Sequence, residues 1–197
     1  PMMMRFKEQL ENDKPLRDLE LNPDEVKMAS GFTFLTQKPM IAVLNHAEGE
    51  AGPAAAIAVA EAMGAEVVSV CASMEEELGA LDEADVAEFL ADLGVTERAS
   101  SRMIRAAYGA LNLQSFFTVG PDECRAWAVR KGALAPEAAG AIHSDLQRGF
   151  IRAEVTAYND MISAGSLAAA KAAKMVRLEG KSYVVQDGDI VEIRFSV

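Results

Sequence analysis

A chain of 197 residues, half of them hydrophobic, can bury a sizeable core in one or two domains, which predicts a folded, soluble protein. Its 30 acidic against 19 basic side chains leave a net charge of −11; this excludes holding nucleic acid through a general electrostatic field, so DNA is not an expected partner and any RNA contact has to come from a local patch. No apolar run approaches the ~20 residues of a membrane span, and Met2 to Met4 followed by Arg5 and Lys7 lack a secretory core, so a cytoplasmic protein with no membrane partner is expected.

Residues 6–10 carry helical spacing that Lys14-Pro15 stops. Residues 19–28 supply a second short helix, entered through Asn22-Pro23-Asp24-Glu25: a cap, a proline and acidic first-turn side chains. Residues 40–44 form an apolar run of strand length, residues 53–63 an alanine-rich helix and residues 66–71 a second apolar strand. That series is a βαβ unit with parallel strands and a right-handed crossover. Helices are expected at 75–78, 83–93 and 100–111, the first ending near Gly79 and the second near Gly94. A lone βαβ unit leaves sheet edges and faces uncovered. Cys71 and Cys124 each fall in a strand-like segment and read as core thiols, with neither a disulfide framework nor a metal cluster.

Further on, residues 116–119 and 124–129 flank Gly120-Pro121-Asp122 and are expected to pair as a hairpin, with Lys131-Gly132 as its exit. Ala135-Pro136-Glu137 opens a helix through His143 and Leu146 that Gly149 ends, and residues 150–155 are the next strand. Asp187-Gly188 signals a two-residue hairpin between residues 183–185 and the alternating strand 190–195. Two strands, a crossing helix, a third strand and a closing hairpin match a small β-grasp module.

The words within this half are Phe116-Phe117-Thr118-Val119-Gly120-Pro121-Asp122-Glu123, Arg125-Ala126-Trp127, Ala138-Ala139-Gly140, His143-Ser144-Asp145, Gly149-Phe150-Ile151-Arg152-Ala153-Glu154 and Leu178-Glu179-Gly180-Lys181. Together they resemble the TGS domain that ends the YchF/Obg-like ATPases, translation-associated P-loop NTPases of the GTP-binding protein class. The resemblance implies an α/β plus α+β fold class: residues 1–33 as the end of a helical insertion, 34–114 as the C-terminal part of a P-loop G domain, and 115–197 as a β-grasp TGS domain. It covers the whole chain but only the C-terminal half or so of a full-length member. The function implied is a C-terminal fragment or split half of a ribosome-associated, ATP-binding NTPase; the alternative is a stand-alone TGS module that binds RNA or protein.

Asn45-His46-Ala47-Glu48 stands at the C-terminal end of the first strand, where open α/β sheets bind ligands. GTPases usually carry Asn-Lys-x-Asp in this loop, and the acidic side chain bonds a donor pair that adenine lacks. The resemblance implies an Asn-x-x-Glu version in which Asn45 holds the adenine edge, with His46, Glu48, Cys71 and Ala72 completing the base pocket. Read without it, Asn45 is equally a turn residue, His46 a solvated ring, Cys71 a buried thiol and Ser73 the cap of the next helix. No Gly-x-x-x-x-Gly-Lys-Ser/Thr string occurs: Gly180-Lys181-Ser182 imitates its end, but Met175 stands where the first glycine would be, and the triplet reads as a hairpin turn before a strand. No metal-binding Asp-x-x-Gly occurs either. No catalytic or metal-ligating residue is assigned, no turnover is expected from this chain alone, ATP binding is expected to be weak without a P-loop-bearing polypeptide as partner, and Mg is expected only in the full family protein.

In the second half, Arg125, Arg130, Lys131, Arg148 and Arg152 read either as a local basic face for ribosome or structured RNA or as solvated charge. Alternation along a strand projects Arg125 and Trp127 from one face. Trp127 reads also as a core aromatic, and His143 as a satisfied polar residue without catalytic work.

Overall fold

Asn22 starts a helix as its neighbours dictate. Its Oδ1 accepts from Glu25 N at 2.9 Å while Glu25 Oε2 accepts from Asn22 N at 3.1 Å, a reciprocal capping box with Pro23 in the first turn. The computed structural model describes residues 1–196 apart from Ala51 and Pro121, and these residues divide into two compact units, Pro1–Ala110 and Leu111–Val197. The expected boundary between residues 114 and 115 falls inside a strand.

The first unit opens with α1 (Met2–Glu11) and α2 (Pro23–Ala29), which enclose a small core of Met2, Phe6, Leu16 and Ala29, with Phe34 edge-on to Phe6. Then β1 (Ile41–Asn45), α3 (Ala54–Ala62) and β2 (Glu66–Val70) follow. The two strands are parallel, in register from Ile41↔Glu66 to Asn45↔Val70, and form a sheet of their own. After them come α4 (Ala72–Ala80), α5 (Glu83–Asp92) and α6 (Ala99–Ala110). The first of these begins earlier than residue 75 and runs through Gly79, so Ser73 lies within the helix instead of capping it. Helix α6 packs on β2, where Arg102 donates to the Ser69 carbonyl at 2.8 Å.

The second unit is built on a five-stranded sheet of order β4-β3-β7-β5-β6, where β3 is Leu113–Val119, β4 Cys124–Arg130, β5 Phe150–Thr156, β6 Arg177–Glu179 and β7 Ile190–Phe195. Only β3 and β7 run parallel; the other neighbours are antiparallel. Phe116, Val129, Phe150, Ala153, Val155 and Val191 turn inward from the strands, and Ala135, Ala138 and Ala139 of α7 (Ala135–Ile142) meet them. Alanines let a helix backbone lie close to a sheet.

Four expectations need correction. The helix does not run on to Gly149: it breaks at His143, whose extended backbone (φ −162°, ψ 143°) separates α7 from α8 (Ser144–Arg148), and His143 Nδ1 accepts from Asp145 N at 3.2 Å to cap the second piece. Residues 183–185 are not a strand paired with 190–195. They contribute a single bridge, Leu134↔Val184, because β3 and β5 already occupy both edges of β7. Asp187-Gly188 turns onto β3 instead, with Ser115 N donating to Asp187 Oδ1 at 2.9 Å and Gly188 N to Ser115 O at 2.8 Å. Gly180-Lys181-Ser182 does lie in a turn, closed by Tyr183 N donating to Gly180 O at 3.2 Å, but it follows β6 and precedes no strand. Finally, Cys124 is exposed, while Cys71 is buried as expected.

Between β5 and β6 lie two helices without an expected counterpart, α9 (Tyr158–Ala164) and α10 (Leu167–Ala172). The β3–β4 hairpin closes with Gly120 N donating to Glu123 O at 2.8 Å; Pro121 of the expected turn lies outside the described residues. Among the described residues no helix is long and apolar enough to cross a membrane.

Candidate functional site

The loop after β1 is tied to the loop after β2 by one side chain. Asn45 Oδ1 accepts from Ala72 N at 3.1 Å, so a residue of β1 satisfies one of the first backbone donors of α4, which its own N-cap, Cys71, leaves without a side-chain partner. His46 N donates to Val70 O at 3.0 Å and carries the parallel ladder one rung past the strand. The His46 ring nitrogen Nδ1 lies 2.9 Å from Ala47 O, the geometry of an Nδ1–H donor. Gly49 takes a positive φ of 73° and Glu50 N donates to Ala47 O at 3.2 Å, closing the turn that holds Glu48 exposed. Cys71 Sγ is buried 3.2 Å from Ser73 Oγ.

Asn45, His46, Cys71 and Ala72 are therefore brought together, and Glu48 stands on the exposed loop beside them. The Asn45 amide has its oxygen committed to Ala72 and keeps its Nδ2 hydrogens for another acceptor; no protein group takes them among the described residues. A loop rung, a helix N-terminus and an amide donor can read the edge of a flat heteroaromatic ring. Next to them lies a cavity of about 460 Å³ lined by His46, Ser69, Cys71, Glu75 and Arg102. Glu75 Oε1 accepts from Ala99 N at 2.6 Å at the start of α6. Sequence reasoning did not single out Glu75 or Arg102; both act across helix packing, and neither stands in a local motif.

On the second unit, Arg125 lies with its guanidinium carbon 4.4 Å from the Trp127 ring centroid, on one face of β4 as alternation requires. The indole is half-buried against the core and Nε1 donates to Thr118 Oγ1 at 2.9 Å. Arg130 follows the buried Val129 and faces the other side of β4. Arg152 sits on β5, three strand steps from β4, roughly 14 Å at about 4.8 Å each. Lys131 is exposed beyond the strand, its N–H bonded to Asn112 O at 2.9 Å, and Arg148 is paired with Asp145. The expected basic face of Arg125, Arg130, Lys131, Arg148 and Arg152 is thus not one patch; only Arg125 and Trp127 meet. Beside that Arg125 stack, Asp122, Glu123 and Glu192 line the groove that Trp127 borders.

Two sheet-and-helix units, one with a parallel βαβ arrangement and one a mixed five-stranded sheet, define a mixed α/β protein. The family described as YchF-GTPase_C, protein of unknown function (DUF933), matches residues 113–196. Over 203 residues the chain is 44% identical to the ribosome-binding ATPase YchF of Bacillus subtilis, covering 100% of this chain and 56% of that protein. Human Obg-like ATPase 1 is 37% identical over 196 residues, covering 95% of this chain and 49% of that one. The Schizosaccharomyces pombe YchF GTPase structure superposes with a TM-score of 0.82 at 29% identity, over 98% of this chain and 53% of that one. A GTP-binding protein from Pyrococcus horikoshii OT3 shares the fold, with a TM-score of 0.60 at 19% identity over 97% and 56%. The chain belongs to the YchF/Obg-like ATPase family and corresponds to its C-terminal portion, spanning about half the length of the curated relatives it matches.

Proposed function

We propose that this chain supplies the base-recognition end and a partner-docking domain of a YchF-like, ribosome-associated ATPase of the cytoplasm. In this reading residues 34–114 are the C-terminal part of a P-loop G domain and residues 115–197 a β-grasp TGS domain. The observation that carries it is the Asn45 Oδ1 to Ala72 N bond of 3.1 Å, which locks the two loops into one surface at the C-terminal ends of parallel strands. Asn45, His46 and Glu48, with the Cys71-Ala72 backbone, then recognise adenine. Phosphate and Mg are held by a P-loop for which the 197 residues carry no matching string.

The test is binding of a fluorescent ATP analogue by this chain alone and mixed with a P-loop-bearing N-terminal half of a relative. Weak, Mg-insensitive binding alone and tighter, Mg-dependent binding in the mixture are expected, both reduced by Asn45→Ala. Steady ATP hydrolysis by the chain alone, abolished by Asn45→Ala, would overturn the assignment. A role as a stand-alone TGS interaction module is favoured by a separate observation, the exposed Arg125 over Trp127 on β4, and predicts ribosome or RNA binding that no nucleotide alters.

A further inference from the structure

We propose that the free edge of β4 is a self-association surface, on which a second copy of this chain pairs its own β4 in the antiparallel sense and joins two five-stranded sheets into one. This edge belongs to the second unit and uses no residue of the base-recognition loops, so nucleotide binding bears on it in neither direction.

Strand β4 is the outermost of its sheet, and its pairing with β3 fixes where its main chain points. Gly120 N donates to Glu123 O at 2.8 Å at the hairpin, and Lys131 N donates to Asn112 O at 2.9 Å at the far end. In that register Arg125, Trp127 and Val129 are bonded to β3, so Cys124, Ala126, Ala128 and Arg130 turn their N–H and C=O groups outward. All four are exposed, and no β-bulge interrupts the pairing. The Arg130 carbonyl accepts from Ala133 N at 3.0 Å, which ends the free edge there. No proline or lysine occurs in β4, so two common devices for blunting an edge are missing. The opposite edge strand, β6, has 3 residues and is a poorer template.

The charges on and beside this strand select its occupant. Asp122 and Glu123 lead into it, Arg130 and Lys131 close it, and all four are exposed. None of them makes an ion pair among the described residues. A strand acidic at its start and basic at its end is its own antiparallel complement, whereas parallel addition of a copy would set like charges side by side. The two-fold register that uses all four outward residues puts Ala126 against the partner's Ala128 and Cys124 against the partner's Arg130. Glu123 then faces the partner's Lys131, twice by symmetry, and Asp122 lies diagonal to the partner's Arg130. Trp127 meets the partner's Trp127 at the axis, each indole carrying its own Arg125 at 4.4 Å. The alanines at 126 and 128 set no bulky side chain between the two backbones. The net charge of −11 repels two copies at long range, but at physiological salt a Debye length of about 8 Å screens that repulsion more than it does pairs in contact.

The experiment is analytical ultracentrifugation of the full chain at physiological salt, with a reductant that keeps Cys124 a thiol, together with amide exchange at low and high protein concentration. A monomer–dimer equilibrium is expected, with exchange at Ala126 and Ala128 slowed about tenfold as the dimer forms. Ala126→Pro removes an outward donor that the monomer's sheet does not use, so it should leave the chain monomeric with the melting temperature of the dilute protein unchanged. Glu123→Lys and Lys131→Glu should each weaken self-association about tenfold, because both facing pairs become like-charged. An equimolar mixture of these two variants should pair as tightly as the wild type, since every facing pair is then opposite in charge. A chain monomeric up to about 1 mM, which corresponds to no more than about 4 kcal/mol of association, would overturn the proposal. So would a dimer that survives Ala126→Pro, one that protects the amides of β1 instead of Ala126 and Ala128, or a mixture no tighter than either variant alone. Ribosome co-sedimentation lost with Ala126→Pro from a chain that stays monomeric would give the edge to a ribosomal partner and overturn it as well.

Discussion

The two units of this chain use similar hydrophobic residues with different success. In residues 111–197 five strands and α7 close around Phe116, Val155, Val185 and Val191, each at most 2% exposed. In residues 1–110 the sheet has two strands, and Val43 on β1 with Val59 and Met63 at α3 remain 48%, 62% and 55% exposed. Closure depends on strand count and cover more than on composition: an apolar face is buried only when the topology brings a second layer to it. The first unit does protect one edge, through Arg102 on the Ser69 carbonyl, and buries Val68, Leu78 and Ala106 around β2, with a separate small core around Phe6 and Leu16.

The sharpest way to break this contrast is to separate the units. Residues 111–197 should unfold in one cooperative transition, whereas residues 1–110 should melt broadly and bind a hydrophobic dye; equal cooperativity by calorimetry would show that apolar exposure at β1 and α3 does not govern stability. Next in size is Phe116→Ala. Removing a ring that is 0% exposed should cost about 3–5 kcal/mol, read by urea denaturation. A loss below about 1 kcal/mol would mean that the alanine-lined layer collapses onto the gap.

Legibility in the sequence follows the same division between local and tertiary control. The Asn22 capping box, the parallel βαβ order and the β3–β4 hairpin were readable because each is written in adjacent residues. The break at His143 was not, since a histidine with extended backbone carries no stop signal and Gly149 offered a stronger one. Residues 183–185 have strand propensity, but β7 had no edge left for them. Helices α9 and α10, of 7 and 6 residues, are too short for a clear period. At the candidate site the Asn45 tetrapeptide was visible, while its bond to Ala72 and the roles of Glu75 and Arg102 depend on packing between distant segments. The supposed arginine cluster failed because strand order, which separates Arg152 from Arg125, is not written in spacing.

A polar network sharpens the comparison further. Asp189 is 3% exposed and accepts from Tyr183 O–H at 2.7 Å and from Gln186 N at 2.9 Å. Tyr183→Phe should therefore cost about 1–3 kcal/mol by leaving a buried carboxylate short of a donor. Burial, then the bond to Asp189, pushes the Tyr183 hydroxyl up to about 12. Its stabilisation is present in full below the ordinary value of 10.0 and is lost as pH rises through about 12. An ultraviolet titration of the 3 tyrosines should show one late step that Tyr183→Phe removes. In the first unit Asn45→Ala should cost about 1 kcal/mol, the worth of a helix-start bond, seen as faster amide exchange at Ala72.

The smallest effect expected lies on the far face of the five-stranded sheet. Glu154 on β5 meets Lys171 Nζ of α10 at 2.9 Å and Arg194 Nε of β7 at 2.7 Å. Hydrogen bonding from Lys171, then from Arg194, holds its carboxyl below the ordinary value of 4.5. The ionised form is thus favoured by folding, so its contribution is complete above that value and disappears as pH falls through the lowered one. Both cations are largely solvated and screened, which keeps the effect modest and sensitive to salt. Melting temperatures of residues 111–197 and its Glu154→Gln variant should differ by a constant amount from neutral pH down to about 5, then converge on further acidification. High salt should narrow the gap at neutral pH. A gap unmoved by acid and salt would assign the role of Glu154 to packing beneath α10, and this face would then be held, like the core opposite, by contact alone.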